Sequence, residues 1–196
     1  MSDSTTAVLP TEEHTLVTAA TRADRAAFAQ LYRAHVEAIY GYLYRRTGDV
    51  ALAEDLTAAT FEAAWRDIGR FEWRGVPFRA WLYRLAGTRL AMHRRRARLI
   101  QWLPLGLLRG DEAVDRLGAH PAADEHVEAA DDFASLRRAL ARLSATDQEV
   151  LGLLFLAELP RDEVAAALGC SRDALYTRTH RALKRLRAAW NEETHG

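Results

Sequence analysis

Apolar side chains recur at helical spacing through two blocks of this chain, residues 23–98 and 131–190, and neither block shows strand-like alternation. A stripe of apolar residues three and four positions apart marks the face by which a helix packs on its neighbours. The opening stripe of the first block is formed by Phe28, Leu31, Val36, Ile39 and Leu43. The pattern therefore predicts an all-α fold with two small helical domains.

The segment between these blocks, residues 99–130, is predicted to be a long acidic linker. It holds Pro104, Pro121 and three glycines, which favour loops over helices. Eight acidic residues and one base, Arg116, lie in residues 111–132, a composition typical of a solvated spacer. Residues 1–22, rich in Ser, Thr and Ala, are predicted to be a mobile tail, and residues 191–196 a second tail.

Composition excludes several classes of protein. The 27 basic and 27 acidic residues cancel, so any nucleic-acid signal must come from local clusters. A single cysteine, Cys170, excludes an internal disulfide. The sequence shows no signal-peptide pattern and no apolar run of about 18 residues, so a cytoplasmic location without membrane insertion is expected. It also lacks an HExxH spacing, a Gly-rich phosphate loop and a nucleophile elbow, so we expect no enzyme activity, metal or cofactor.

The second block ends in DEVAAALGCSRDALYTRTHRALKRLRAAW, which has the spacing of a helix-turn-helix. Ala165 is small where the two helices cross, and Gly169 can take the positive φ of the turn. Leu175 anchors the second helix to the first, and Ser171 is predicted to cap it. The motif predicts that a helix over residues 172–190 contacts DNA.

Helical geometry divides that second helix into two faces. At 100° per residue, the inward face is predicted to carry Leu175, Thr179, Ala182 and Leu186. The opposite arc carries Tyr176, Thr177, His180 and Lys184, with Arg181 at its edge.

The first block ends in RLAMHRRRARL, which contains five arginines from Arg89 to Arg98 and no acid. Two interpretations stay open: a solvated helix end whose cations suit the helix dipole, or a surface that contacts phosphates. Nearby aromatic residues favour the second, because unpaired bases stack on exposed rings. This aromatic cluster comprises Phe71, Trp73, Phe78, Trp81 and Tyr83, of which Phe78 and Trp81 also fit core positions.

The run AFAQLYRAHVEAIYGYLYRRTGDVALAEDLTAATFEAAWRDIGRF, followed by PFRAWLYRLA, strongly resembles region 2 of bacterial sigma factors. The C-terminal segment resembles their region 4. With these two regions alone, the chain resembles the extracytoplasmic-function (group 4) sigma factors, over residues 25–98 and 133–190. The resemblance implies a factor that binds core RNA polymerase, directs it to promoters and helps to open the duplex, with an anti-sigma factor as a further expected partner.

The resemblance also implies a surface for the polymerase. The helix over residues 51–68 would face the clamp of the largest subunit. Its implied contact residues are Glu54, Asp55, Ala58, Ala59 and Phe61. Ala58 and Ala59 stand where the family usually has Gln and an acid, so two polar contacts are missing, at a cost of about 1–3 kcal/mol.

Promoter contacts are implied on both domains. In region 2, the residues implied to capture a base of the −10 element are Phe71, Trp81 and Thr88. The residues implied to contact phosphates are Arg94, Arg95, Arg96 and Arg98. In region 4, the −35 element is read by Tyr176, Thr177 and His180. The rest of that surface comprises Arg172, Arg178, Arg181 and Lys184.

Two alternative functions remain open. One is a stand-alone helix-turn-helix regulator that binds duplex DNA as a dimer without polymerase. The other is a sigma-like protein that has lost productive core binding, for which Ala58 and Ala59 give the reason.

Overall fold

In a computed structural model of the chain, residues 10–73, 76–102 and 127–195 are described, and they form helices without any strand. The all-α prediction is confirmed. The first four helices are α1 (Pro10–Thr21), α2 (Arg25–Thr47), α3 (Val50–Asp67) and α4 (Phe78–Trp102). The other four are α5 (Val127–Arg142), α6 (Ala145–Leu151), α7 (Arg161–Ala167) and α8 (Arg172–His195).

The first domain is a bundle of α1–α4 whose helix ends are set by local chemistry. Asp24 caps α2 by accepting a hydrogen bond from the Ala26 amide at 2.9 Å, and Asp49 caps α3 through the Leu52 amide at 2.9 Å. Gly48 ends α2 with a φ of 70°, a conformation that costs other residues about 1–2 kcal/mol. The bundle encloses the fully buried Leu31, Ile39, Leu43, Phe78 and Leu82.

The sequence predicts a mobile tail over residues 1–22 and no helix there. For residues 10–21 that prediction is wrong, because they form α1. The helix packs along α2, where Val17 is 3% exposed and Ala20 is fully buried. Its Glu13 carboxylate lies 2.9 Å from the Nε2 atom of His35 on α2. Leu16 and Ala19 add partly buried apolar contacts, so packing on the core holds a segment whose composition is that of a tail.

The second domain comprises α5–α8. Ser144 caps α6, since its hydroxyl accepts a hydrogen bond from the Asp147 amide at 3.2 Å, as the Ser-Asp spacing predicts. The helical path then widens into one π turn, Gly152–Leu156, before α7. Val150, Leu153, Val164 and Leu175 are buried in the core.

The predicted linker and the predicted C-terminal tail both include residues that are helical in the structure. Helix α4 continues to Trp102 and α5 begins at Val127, so helices occupy both margins of the predicted linker. The remainder of the linker, residues 103–126, lies outside the described residues. Helix α8 continues to His195, so residues 191–195 are helical, which the prediction of a tail missed. Among the described helices, none is long and apolar enough to cross a membrane.

The two domains contact each other in this structure. Helix α4 packs against α6 and α7, and α2 approaches α5. Buried side chains of both domains belong to one continuous apolar cluster. This packing brings the face of α4 that bears the predicted −10 residues opposite the N-terminal part of α6.

Candidate nucleic-acid interface

The turn before α8 has the geometry that the helix-turn-helix spacing predicts. Gly169 takes a φ of 61°, and no atom lies within 4 Å of the position that a Cβ there would occupy. Its role is therefore conformational. Ser171 caps α8 by accepting a hydrogen bond from the Ala174 amide at 3.2 Å. Ala165 is buried where α7 meets α8, and Leu175 is 2% exposed.

Helix α8 presents its predicted outer arc to solvent. Leu175 and Ala182 are buried and Thr179 and Leu186 half-buried, which confirms the inward face. Tyr176 is 67% exposed, a large fraction for an aromatic ring. The other predicted −35 residues are also exposed: Arg172, Thr177, Arg178, His180, Arg181 and Lys184. The arc thus offers hydrogen-bonding and cationic groups on a convex surface, the shape that enters a major groove.

One cation of this surface already has a partner. The Arg172 guanidinium donates a hydrogen bond to the Asp162 carboxylate of α7 at 2.6 Å. Both side chains are largely exposed, so water and salt weaken the pair. A DNA phosphate would therefore compete with Asp162 for Arg172.

The aromatic cluster splits into a buried part and an accessible part. Phe78 is fully buried and Tyr83 nearly so, and burial raises the pKa of the Tyr83 phenol. Phe71 and Trp81 are half-buried with ring centroids 5.1 Å apart, and Trp73 is 38% exposed. Phe71 also contacts Phe78 edge-on at 5.8 Å, so the core fixes the position of the accessible rings.

Helix α1 also contacts this cluster. The His14 ring lies edge-on to Trp73 with centroids 5.1 Å apart. The His35 ring, held by Glu13, lies 5.7 Å from Phe78. No pattern in the sequence marks either histidine as a member of this site, because His14 meets Trp73 and His35 meets Glu13 only once α1 has folded onto the bundle.

The basic end of α4 is not uniformly solvated. Thr88 is exposed, as are Arg95 and Arg96, whereas Arg94 is half-buried. The side chain of Arg98 lies outside the described residues. Arg94 donates two hydrogen bonds, one to the Gln148 side-chain oxygen at 2.6 Å and one to the Arg46 carbonyl at 3.0 Å. Arg94 therefore bridges the first domain to α6 of the second.

Arg46, which the sequence analysis did not select, lies beside Arg94 and is 8% exposed. Its guanidinium donates to the Tyr42 hydroxyl at 2.6 Å and to the same Gln148 oxygen at 3.0 Å. The Gln148 amide nitrogen in turn donates to the Leu143 carbonyl at 2.9 Å. Nothing in the spacing of the sequence marks Arg46 or Gln148, because they are 102 positions apart and meet only by domain packing.

A second polar contact joins the domains at α7. The Arg79 guanidinium of α4 binds the Glu163 carboxylate through two nitrogens, with an Nε–O distance of 2.9 Å. The hydrogen bond to Glu163 raises the pKa of the Arg79 guanidinium. An open cleft of about 620 Å³ adjoins the Arg94–Gln148 contact, with Thr88, Met92 and Arg95 on one wall and Thr146 and Glu149 on the other.

The predicted polymerase surface on α3 is only partly accessible. Glu54, Asp55 and Ala58 are exposed and Ala59 is half-buried. Phe61 is 4% exposed and packs edge-on against Tyr32 at 4.7 Å. The burial of Phe61 does not fit its predicted role as a polymerase contact, because a ring packed inside the bundle offers almost no surface to a partner.

An all-α chain with an exposed helix-turn-helix on one domain and aromatic and basic groups on the other is a DNA-binding transcription protein. The family models Sigma-70 region 2 and Sigma-70, region 4 match residues 31–100 and 133–186. The chain is 32% identical over 172 residues to the RNA polymerase sigma factor CarQ of Myxococcus xanthus, covering 85% of this chain and 90% of CarQ. The chain belongs to the sigma-70 family, among the extracytoplasmic-function sigma factors.

One further relative is similar in sequence, and one solved structure shares the fold. The chain is 33% identical over 171 residues to the ECF RNA polymerase sigma factor BldN of Streptomyces coelicolor, covering 87% of this chain. It spans 63% of BldN, which is less than two thirds of that protein's length. A chain in the structure of CnrH in complex with the cytosolic domain of CnrY has the same fold, with a TM-score of 0.59 and 24% identity. The alignment covers 92% of this chain and 97% of that one.

Proposed function

We propose that this chain binds core RNA polymerase and directs it to promoters, with the first domain acting at the −10 element and the second at the −35 element. The observation that carries the proposal is the exposed arc of α8, which stands on one domain while the accessible aromatic rings and the arginines of α4 stand on the other. Catalysis belongs to the polymerase in such a complex, and this chain supplies promoter specificity in the cytoplasm.

At the −35 element, Tyr176, Thr177 and His180 contact base edges from the middle of the α8 arc. Arg178, Arg181 and Lys184 flank them and bind phosphates, which positions the helix in the groove. Each base contact is expected to contribute about 1–3 kcal/mol of discrimination.

At the −10 element, Phe71 and Trp81 form the stacking surface for an unpaired base, and Thr88 supplies a hydroxyl on the same side of α4. Extruding a base costs a few kcal/mol, so a stacking surface fixed by Phe78 is an advantage. The arginines at 94–96 and 98 then bind the adjoining backbone.

The polymerase contact is assigned to the exposed part of α3. Glu54 and Asp55 offer carboxylates there, while the methyl groups of Ala58 and Ala59 offer no hydrogen bond. A solved structure of similar fold, the sigma factor RpoE in complex with the anti-sigma factor NepR from Bartonella quintana, supports an anti-sigma factor as a further partner of this chain.

Binding of the purified chain to core polymerase, followed by transcription from genomic fragments, tests the proposal. Promoter-specific initiation is the expected result. Duplex binding without any binding to core would instead favour a stand-alone regulator. If the wild-type chain does not bind core and the variant with Ala58→Gln and Ala59→Glu does, the chain is a sigma-like protein that has lost productive core binding.

A further inference from the structure

Four aromatic rings from three segments of the first domain contact one another in series. The His14 ring of α1 lies edge-on to Trp73 with centroids 5.1 Å apart, and Trp73 lies edge-on to Phe71 at 6.0 Å. Phe71 in turn contacts Trp81 of α4 at 5.1 Å. We call these four rings the aromatic row. The stacking surface proposed above for a −10 base uses only its inner half, Phe71 and Trp81.

The outer half of the aromatic row is the more accessible half. Trp73 is 38% exposed, the most exposed of the tryptophans whose side chains the structure describes, and His14 is exposed as well. Both rings are exposed while the two domains are packed together, so the contact between the domains leaves this end of the row open. An indole ring in water forfeits the stabilisation that burial of its large apolar surface gives. A partner that stacks on Trp73 recovers part of it.

His14 and Trp73 form a corner with the chemistry that holds an unpaired base. Their planes meet at 68°, so a base stacked on one ring presents its edge to the other. The Trp73 indole N–H is a donor, and the neutral His14 imidazole carries one donor and one acceptor nitrogen. Among the described residues, none forms a hydrogen bond with either ring. The corner therefore supplies a stacking surface together with polar groups that can read the edge of a base.

The charge around the corner favours a base over a phosphate. Glu12 lies two positions before His14 and Glu72 lies directly before Trp73, and both are exposed. Their carboxylates repel the phosphates of a strand, whereas Arg70, the exposed arginine just before Phe71, attracts them. The part of a nucleotide that fits against His14 and Trp73 is thus its uncharged base.

We propose that His14 and Trp73 form a second base site of the first domain, which takes the unpaired promoter base next to the one stacked on Phe71 and Trp81. Phe71 contacts both tryptophans, so neighbouring nucleotides occupy the two sites without a gap in the strand. The inference rests on the proposed function and adds α1 to the DNA-binding surface. His14 is then a specificity-determining residue, because its nitrogens read the edge of the second base.

Substitutions at the corner separate stacking from hydrogen bonding. His14→Phe keeps a ring and removes both nitrogens, whereas His14→Ala removes the ring as well. Trp73→Ala removes the stacking surface. Tyr32→Ala is the matched control, because Tyr32 is another exposed ring of the first domain, at 42%, and lies outside the aromatic row. The three positions are exposed, so urea unfolding is expected to show little loss of stability in the variants.

The test uses the full chain bound to core polymerase and a promoter found by transcription from genomic fragments, with its −10 region opened by mismatches. Each −10 base in turn is removed to leave an abasic nucleotide, and affinities are measured at one salt concentration. Trp73→Ala is expected to weaken binding of the intact promoter about five- to tenfold, the lower part of the range for one stacked base. On the promoter that lacks the second base, this variant is expected to bind like the wild type, and Tyr32→Ala like the wild type throughout.

The two His14 variants test how the second base is read. His14→Phe is expected to keep the affinity of the wild type and to lose its preference among the four bases at the second position. His14→Ala is expected to lose affinity as well, because it removes one wall of the corner. An unchanged base preference in both variants would overturn the role of His14 in specificity.

The pattern across promoter positions distinguishes a base site from a structural support. If Trp73→Ala weakens binding by the same factor whichever base is removed, the outer rings only support Phe71, and the inference is wrong. It is also wrong if Trp73→Ala and Trp81→Ala lose their effects on removal of the same base, because the whole row then serves one site. A wild-type chain that initiates at promoters keeps the proposed function in either case, whereas absence of initiation refutes the proposed function and this inference together.

Discussion

At the scale of single residues, the side chains of α8 divide sharply into a buried set and an exposed set. Leu175 is 2% exposed and Ala182 is fully buried, whereas Tyr176 is 67% exposed. The division follows directly from helical periodicity once one apolar residue is known to pack inward. Exposure alone does not make a base reader, but exposed residues near the middle of a recognition helix are the ones that reach base edges.

Replacing Tyr176 or His180 with alanine is expected to change −35 discrimination by about 1–3 kcal/mol, because each removes a contact to a base edge. The measurement compares affinities for a cognate duplex and for duplexes changed at single positions. A scrambled −35 duplex is the control. Equal losses on every duplex, scrambled included, would show that these residues bind the backbone and do not read sequence.

At the scale of elements, α1 is a helix that the composition of its residues does not reveal. Among the α1 residues whose burial the structure describes, Val17 and Ala20 are buried and Leu16 and Ala19 are partly buried, and no longer apolar stripe marks the helix in the sequence. Its position depends on packing against α2 and on two aromatic contacts. His14 contacts the Trp73 ring directly. Glu13 binds His35, whose ring in turn contacts Phe78. The helix therefore braces the segment that leads into α4.

Val17→Asp is expected to destabilise the first domain by a few kcal/mol, because it places a charge without a partner inside the α1–α2 contact. Thr18→Asp, one residue away on the exposed side, is expected to cost less than about 1 kcal/mol. Urea unfolding followed by tryptophan fluorescence distinguishes them, since Trp73 reports directly on α1. Similar losses for the two variants would mean that α1 is not packed as described.

The end of α4 combines both interpretations of its arginines. Arg94 is held between the domains, whereas Arg95 and Arg96 are exposed and available to phosphates. The same arginine-rich sequence fits a helix end that is only solvated and one that binds phosphates. Their response to salt separates them.

Replacing Arg95 and Arg96 with alanine is expected to weaken open complexes and to reduce the slope of log affinity against log salt by about 1.4–1.8, since each lost phosphate contact changes the slope by about 0.7–0.9. Open-complex stability is measured over a series of salt concentrations. Arg33→Ala, at an exposed site on α2, is the control. An unchanged slope would assign the two arginines to the solvated helix end.

At the scale of the whole molecule, polar contacts of long sequence separation set how the domains meet. Arg79 and Glu163 are 84 positions apart, and Arg46 and Gln148 are 102 apart. The Arg79–Glu163 pair is partly exposed, so water and salt weaken it, whereas the Arg46–Gln148 hydrogen bond involves a nearly buried guanidinium. Several weak contacts that close together give an equilibrium that a larger partner, such as polymerase, can shift.

Charge exchange across the Arg79–Glu163 pair tests this closure. Arg79→Glu or Glu163→Arg alone places like charges together and is expected to increase the radius of gyration, whereas the double variant restores the compact state. The expected coupling energy is up to about 1 kcal/mol and falls with salt, because the pair is partly exposed. Additive effects of the two substitutions would show that the pair does not contribute to closure.

The sequence by itself determined the all-α class, the two helical blocks, the caps at Asp49, Ser144 and Ser171, and the two faces of α8. These features depend on local conformation and on periodicity, which neighbouring residues encode. Only the tertiary structure decided that α1 is folded, that Phe61 is buried, and that Arg46 and Arg94 share the Gln148 oxygen. Such contacts join residues far apart in the chain, and their energies depend on distance and burial, which no local pattern of residues contains.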